Sequence, residues 1–297
     1  EELYLNDNQL TGEIPSSIGN LTSLTYLNLS WNQLTGEIPL EIGNLTNLIY
    51  LHLGDNKLSG EIPSQIGNLI NLEYLRLWEN ELSGGIPDEI YNLTDLIGLS
   101  IQDNQLTGEL SNDVGNLTNL ENLYLWGNQL TGEIPLEIGN LINITHLHLK
   151  DNKLSGEIPS EIGNLVNLTH LYLGDNKLSG EIPQIGHLIN LEVLSLNENE
   201  LSGSIPYEIG DLVNLEEFRL DDNKLSGEIP PGIGNLISLE FLDISENLLT
   251  GEIPQELGNL TKLKYIIGLH ILSVLKGIIL LINIFLISEN ICQNVIL

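Results

Sequence analysis

The side chains in this chain that could do chemistry are few and gathered. All three tryptophans, both arginines, six of the nine tyrosines and four of the six histidines fall in or just after short leucine-flanked segments. Between paired leucines, or one residue before them, stand Tyr26, Tyr50, His52, Tyr74, Arg76, Tyr124, His146, His148, His170 and Tyr172; Trp78 and Trp126 follow the second leucine. Flat rings with a polar handle, beside a guanidinium, bury large area with few rotors, which is why such residues dominate binding hot spots. Strands favour aromatics for packing reasons too. An acidic, aliphatic chain that confines them to one strand face points beyond packing, to a ligand surface.

Catalysis has no such constellation. No serine or cysteine nucleophile is arranged with a histidine and an acidic partner, and no kinase lysine or catalytic loop is present. Gly232-Ile-Gly234 is repeat punctuation rather than a phosphate loop. His146 and His170 occupy one column with His148 near, but no carboxylate or cysteine completes a transition-metal set. We therefore expect no enzyme, no cofactor and no metal. The imidazoles could make the surface sensitive to pH.

The elements that position these residues come from a repeat. Asn8, Asn32, Asn56, Asn80, Asn104, Asn128, Asn152, Asn176, Asn199, Asn223 and Asn247 recur at 24 residues, except for one step of 23 between Asn176 and Asn199. A fixed period of this length signals a solenoid. The unit reads Leu-x-x-Leu-x-Leu-x-x-Asn-x-Leu-x-Gly-x-Ile-Pro-x-x-Ile-Gly-Asn-Leu-x-x. Alternating leucines, as in Leu24 to Leu29, require a short half-buried strand. One coil cannot enclose its own leucines, whereas stacked coils bury one another's apolar faces. Each asparagine has two donors and an acceptor with which to satisfy backbone groups that the turn would bury, so the eleven should form a ladder. Gly36 permits the turn, Pro39 ends the extended run, and Ile42 and Leu45 point back inward.

Leu-x-Gly-x-Ile-Pro followed by Ile-Gly-Asn-Leu resembles the plant-specific class of leucine-rich repeats, over residues 1–265. The resemblance implies a leucine-rich-repeat solenoid (α/β class): about eleven 24-residue coils, a parallel β-sheet on the concave face, and short extended or 3-10 segments outside. It also implies a module that binds a peptide or protein on the concave face, as in the ectodomain of a receptor-like protein or kinase, with a co-receptor as a possible further partner. A secreted inhibitor similar to polygalacturonase-inhibiting proteins and a structural or adhesion solenoid are the alternatives. On the same ground the repeats are expected at the cell surface, outside the plasma membrane, or secreted.

Composition adds limits. With 41 acidic and 10 basic residues the net charge is −31, which makes nucleic acid and anionic membranes poor partners. The chain opens inside a repeat without methionine, and its one cysteine, Cys292, lies beyond the repeats, so we read it as a fragment lacking caps. Asn-x-Ser/Thr sequons at Asn20, Asn28, Asn44, Asn92, Asn116, Asn143, Asn167 and Asn259 are candidate glycosylation sites. The glutamates of Gly-Glu-Ile-Pro, from Glu13 to Glu252, read as a solvated edge. Repeat five departs from the unit at Gly98 and at Gly108-Glu-Leu-Ser111, which we read as drift. Residues 266–287 are apolar enough to span a bilayer, though Lys262 and Lys264 on the repeat side argue against a receptor-like orientation. A membrane helix, an out-of-frame translation and a degraded cap helix all stay open for this segment, followed by a short tail over 288–297.

Overall fold

The structure, a computed structural model, describes residues 1–268 of the chain. Twelve three-residue strands pair in parallel, in chain order, from Glu2–Tyr4 to Tyr265–Ile267. The register never slips: Leu27 lies beside Leu51, Leu51 beside Leu75, and Leu75 beside Leu99. Every coil therefore puts its equivalent residue in the same column. We number coils by their ladder asparagine, so coil one holds Asn8 and coil eleven Asn247.

Alternation decides which way each side chain faces. Leu27, Leu51 and Leu75 point into the stack and are fully buried, together with Ile42, Leu45 and Leu48 from the returning half of the coil. The asparagines form the ladder expected of them. Asn128 Nδ2 donates to the carbonyls of Leu125 and Trp126 in its own coil and of Ile101 in the coil before. Its Oδ1 accepts from the Leu106 backbone N–H, 3.0 Å away. One side chain thus satisfies four backbone groups and ties two coils together.

The outer side is built from proline. Pro39 (φ −66, ψ 140) caps the 3-10 turn Leu40–Asn44, so the proline starts that turn as well as ending the extended run. Its missing N–H costs nothing there. Between the concave strands and these turns a second set of strands pairs along one edge, in separate sheets of four, three and two strands. The coil with the one-residue deletion keeps its edge strand Lys177–Glu181 but has no 3-10 turn after Pro183. The missing residue is absorbed outside both strands, where no register depends on it.

Repeat five corrects the reading of drift. In most coils the turn ends Ile-Gly-Asn, and a Cβ on that glycine would meet the next coil; at Gly43 it would lie 2.5 Å from the Gln65 carbonyl oxygen. Coil four has Tyr91 at this place, only 1% exposed. The next coil accommodates it by replacing proline with Ser111, whose Oγ accepts from the Asp113 N–H and caps the turn in its stead. Burial drives the Tyr91 hydroxyl well above its ordinary pKa; the Ser111 backbone N–H, which proline would lack, acts against that shift, but Oη has no hydrogen-bond partner. The two departures meet across one coil boundary. Ser111→Pro, although it restores the repeat unit, is expected to cost about 1 kcal/mol by removing the Oγ cap on the Asp113 N–H and the N–H that acts on Tyr91. In a Tyr91→Gly background the same change should cost less, a difference read from denaturant midpoints in a double-mutant cycle.

At the far end, Tyr265–Ile267 adds a twelfth strand, so the solenoid runs past 265 and Ile266 packs against its core. The rest of the candidate membrane segment 266–287 after Gly268, and the tail 288–297, lie outside the described residues. Among the described residues no helix is long and apolar enough to cross a membrane.

Candidate ligand-binding face

Constant register turns the scarce side chains into columns on the concave sheet. The first position of the strand holds Tyr26, Tyr50 and Tyr74 in coils two to four, and His146 and His170 in coils seven and eight. The third position holds His52 and Arg76, then Tyr124, His148 and Tyr172. At strand spacings of about 4.8 Å, adjacent rings in a column come into van der Waals contact. Tyr26 and Tyr50 stack at 4.2 Å with 3° between planes, and His146 and His170 at 4.4 Å with 12°.

The twelve expected residues do not form one continuous strip. They make two blocks. In the first, Arg76 lies 5.1 Å over the Tyr50 ring and 5.7 Å from that of Tyr74, and its guanidinium donates to Tyr50 Oη at 2.8 Å. In the second, Trp126 stacks on His148 at 5.4 Å, and His148 meets Tyr172 at 4.4 Å. Coil five separates them with Gly98, Ser100 and Gln102, which form a low floor between the walls of coils four and six. Gln102 Oε1 is buried there without a hydrogen-bond partner.

His52 departs from the expectation of an open contact residue. It is 3% exposed. Trp31 and Trp78 close over it, with ring centroids 5.7 and 5.6 Å from the imidazole and 5.6 Å from each other. Trp78 fits because coil three has Gly54 below it; a Cβ there would come within 2.8 Å of the indole. Trp31 stands just before its ladder asparagine with φ 50, in the left-handed region where other coils have Asp, Glu or Gly127. A bulky residue in that region is strained, and such strain gathers at functional sites. Under this cover His52 Nε2 has no partner, and neither has His148 Nε2 in the second block. Burial lowers both imidazoles to about 4, assisted by Arg76 beside His52 and by Lys150 beside His148. Both are neutral near pH 7. Two unpaired nitrogens and an unpaired amide oxygen thus lie buried beneath one face, each covered by its neighbours.

Two aspartates near the face behave oppositely. Burial, then neighbouring carboxylates, raises Asp103 and Asp221 to about 6. A carboxyl whose folded pKa exceeds its unfolded value weakens the fold once ionised. Asp103→Asn with Asp221→Asn should therefore raise the unfolding midpoint at pH 7. That gain should shrink as pH falls from about 6 towards 4 and vanish below, which denaturant titrations at stepped pH would show.

Of the concave-face cations, Lys150 pairs with Asp175 at 3.4 Å and Arg219 with Glu217, whereas Arg76 pairs with no carboxylate among the described residues and donates to Tyr50 Oη. Among the described residues no group of three or more His, Cys, Asp or Glu is placed to hold a metal ion. The sequons divide. Asn28 is buried and accepts from both the N–H and the hydroxyl of Ser30, so its side chain is not available to carry a glycan. Asn143 and Asn167 donate to the Thr118 and Ile142 carbonyls of the preceding coil. Asn20, Asn44, Asn92, Asn116 and Asn259 end 3-10 turns with exposed side chains.

A family model described as "Leucine-rich repeat region" matches residues 3–130, 111–221 and 160–276. No curated protein sequence matches the chain. Among solved structures it is similar to the plant peptide hormone receptor RGFR1 in complex with RGF2, at 41% identity and TM-score 0.85 over 90% of this chain and 47% of that one. It is also similar to the Arabidopsis receptor kinase HAESA in complex with the peptide hormone IDA and the co-receptor SERK1, at 36% identity and TM-score 0.81 over 92% of this chain and 51% of that one. The chain thus spans about half the length of these two receptor chains. A plant ice-binding protein matches at 33% identity and TM-score 0.74, over 85% of this chain and 82% of that one.

Proposed function

This chain belongs to the leucine-rich repeat family, and on that premise we propose that it is a peptide-sensing module, the ectodomain portion of a receptor-like protein or kinase. The ligand lies across the concave sheet in contact with both aromatic blocks, and signalling or defence is the output. The observation that carries this reading is the pair of blocks itself. An otherwise acidic, aliphatic chain places all three tryptophans, six of nine tyrosines and four of six histidines on a single face, with a guanidinium there that pairs with no carboxylate among the described residues. The resemblance to peptide-hormone receptors supports the same class of ligand. A co-receptor would join at the ligand-bound surface, and the repeats would face the cell exterior, with glycans on the exposed turn-end asparagines. Selection of a random displayed peptide library on the full chain tests the reading. Enriched sequences that bind saturably support it. A library that enriches nothing above a bare matrix contradicts it.

A structural reading has one observation in its favour besides the ice-binding relative. The edge of the stack carries a hydroxyl column: Thr11, Thr35, Ser59 and Ser83 in its strands, Thr107 and Thr131 at the same repeat position outside them. Several of these hydroxyls, such as Thr107 Oγ1 to the Gly84 carbonyl, are spent on bonds to the preceding coil. The edge is also split into separate sheets and flanked by glutamates. A flat ice-contacting array needs free, regular hydroxyls, so peptide binding is the better supported reading. Thermal hysteresis of the purified chain would reverse that order.

A further inference from the structure

The stacked imidazoles of coils seven and eight have a protonation pattern that their surroundings dictate. Thr145 Oγ1 donates its single proton to the Glu121 carbonyl at 3.0 Å and lies 2.9 Å from His146 Nδ1. Thr169 Oγ1 donates to the Thr145 carbonyl at 2.9 Å and lies 2.9 Å from His170 Nδ1. With the hydroxyl proton on the carbonyl, each threonine oxygen accepts from its ring; that arrangement puts the imidazole proton on Nδ1 and leaves a lone pair on each Nε2, in rings whose centroids stack 4.4 Å apart. Neither Nε2 is among the buried unpartnered atoms, so both remain open to the concave side.

We propose that this pair is a clamp for one cationic group of the ligand, an ammonium or guanidinium that donates to both Nε2 atoms at once. It rests on the peptide-binding reading and names the ligand chemistry at one position. The two rings hang from equivalent threonines and stack with their centroids 4.4 Å apart, so one ammonium or guanidinium can donate to both Nε2 atoms. The walls are Tyr124 of coil six and Tyr172 of coil eight, whose ring faces attract cations. The Glu192 carboxylate of coil nine acts on His146, and Lys150 is held by Asp175. An anion or a neutral amide gains less here, because two acceptors and a negative surround want a charged donor.

The test is histidine-selective ¹⁵N labelling of the full chain, with two-bond ¹H–¹⁵N spectra at pH 7 assigned by His146→Phe and His170→Phe. The probes are N-acetyl-lysinamide, N-acetyl-argininamide, glycinamide and, as a neutral control, N-acetyl-glutaminamide. The expected result is Nδ1–H in both rings, with the Nε2 signals of His146 and His170 moving together and saturably for the cations and not for the control. His170→Phe keeps a stacked ring but removes one acceptor, and should weaken the response of His146 by about tenfold. A response to the two blocked amino acids alone assigns the clamp to a ligand side chain; a response to glycinamide alone assigns it to a chain-terminal amine. An Nε2–H tautomer in either ring, an equal response to the control, or an unchanged response in His170→Phe overturns the proposal. Cation binding without any peptide binder from the library would sink the peptide reading and leave the clamp standing; peptide binders without it would do the reverse.

Discussion

Alanine at Tyr74, Arg76 and Trp78 together is expected to abolish capture of the library-selected peptides, weakening binding at least ~100-fold. All three side chains are half-buried on the concave face, and together they form the coil-four wall beside the coil-five floor. They anchor no part of the leucine core, so unfolding should shift by no more than about 1–2 kcal/mol, mostly from lost ring stacking. The fold loss is small because alternation sends these side chains away from Leu75 and Leu77, which hold the coil. Affinity measured by titration, beside a denaturant curve for the same variant, separates the two effects. Unchanged affinity would remove the concave face from the account.

The second large effect falls on the scaffold. Asn128→Ala removes one donor group and one acceptor that serve four backbone groups; it leaves the Leu106 N–H buried without a partner, while the Ile101 and Leu125 carbonyls keep only their bonds from Asn104 and Asn152. That orphan costs on the order of 1–3 kcal/mol and the thinned carbonyl bonds add to it, so a loss of about 2–3 kcal/mol is expected. Coils in a solenoid are stabilised by their neighbours, so the damage should spread to both sides of coil six. Asn8→Ala is the control. Asn8 is exposed and bonds only the Leu5 and Asn6 carbonyls of its own coil, so less than about 1 kcal/mol should be lost. Equal denaturant midpoints for the two variants would contradict the ladder as the element that joins coils.

Most of the scaffold was legible because a strict period leaves little freedom. Once the asparagines recur at 24 residues, register, core and ladder follow together, and Leu27, Leu51 and Leu75 can only share a column. What escaped the sequence depends on contacts between coils rather than on the unit. Tyr91 and Ser111 lie in different copies, so each alone looks like a lapse, and only the fold shows that they meet. The burial of His52 was hidden for the same reason: its cover comes from Trp31 in the coil before and Trp78 in the coil after. Two signals were within reach. Gly54 precedes Trp78 by one period, which leaves room for an indole to lie back, and Trp31 stands where other copies carry an acidic residue. Coil five as a floor between two blocks was legible from Gly98 and Ser100, but the unpartnered Gln102 oxygen is visible only in three dimensions.

Tryptophan quenching tests the central claim most directly, because all three tryptophans of the chain, Trp31, Trp78 and Trp126, lie on or beside the concave face. Trp31 is 42% exposed and should dominate quenching by iodide in the free protein. A library-selected peptide that binds across both blocks is predicted to protect the tryptophans from iodide saturably, at the affinity found by titration. Saturable peptide binding with quenching unchanged would place the ligand elsewhere and contradict the account.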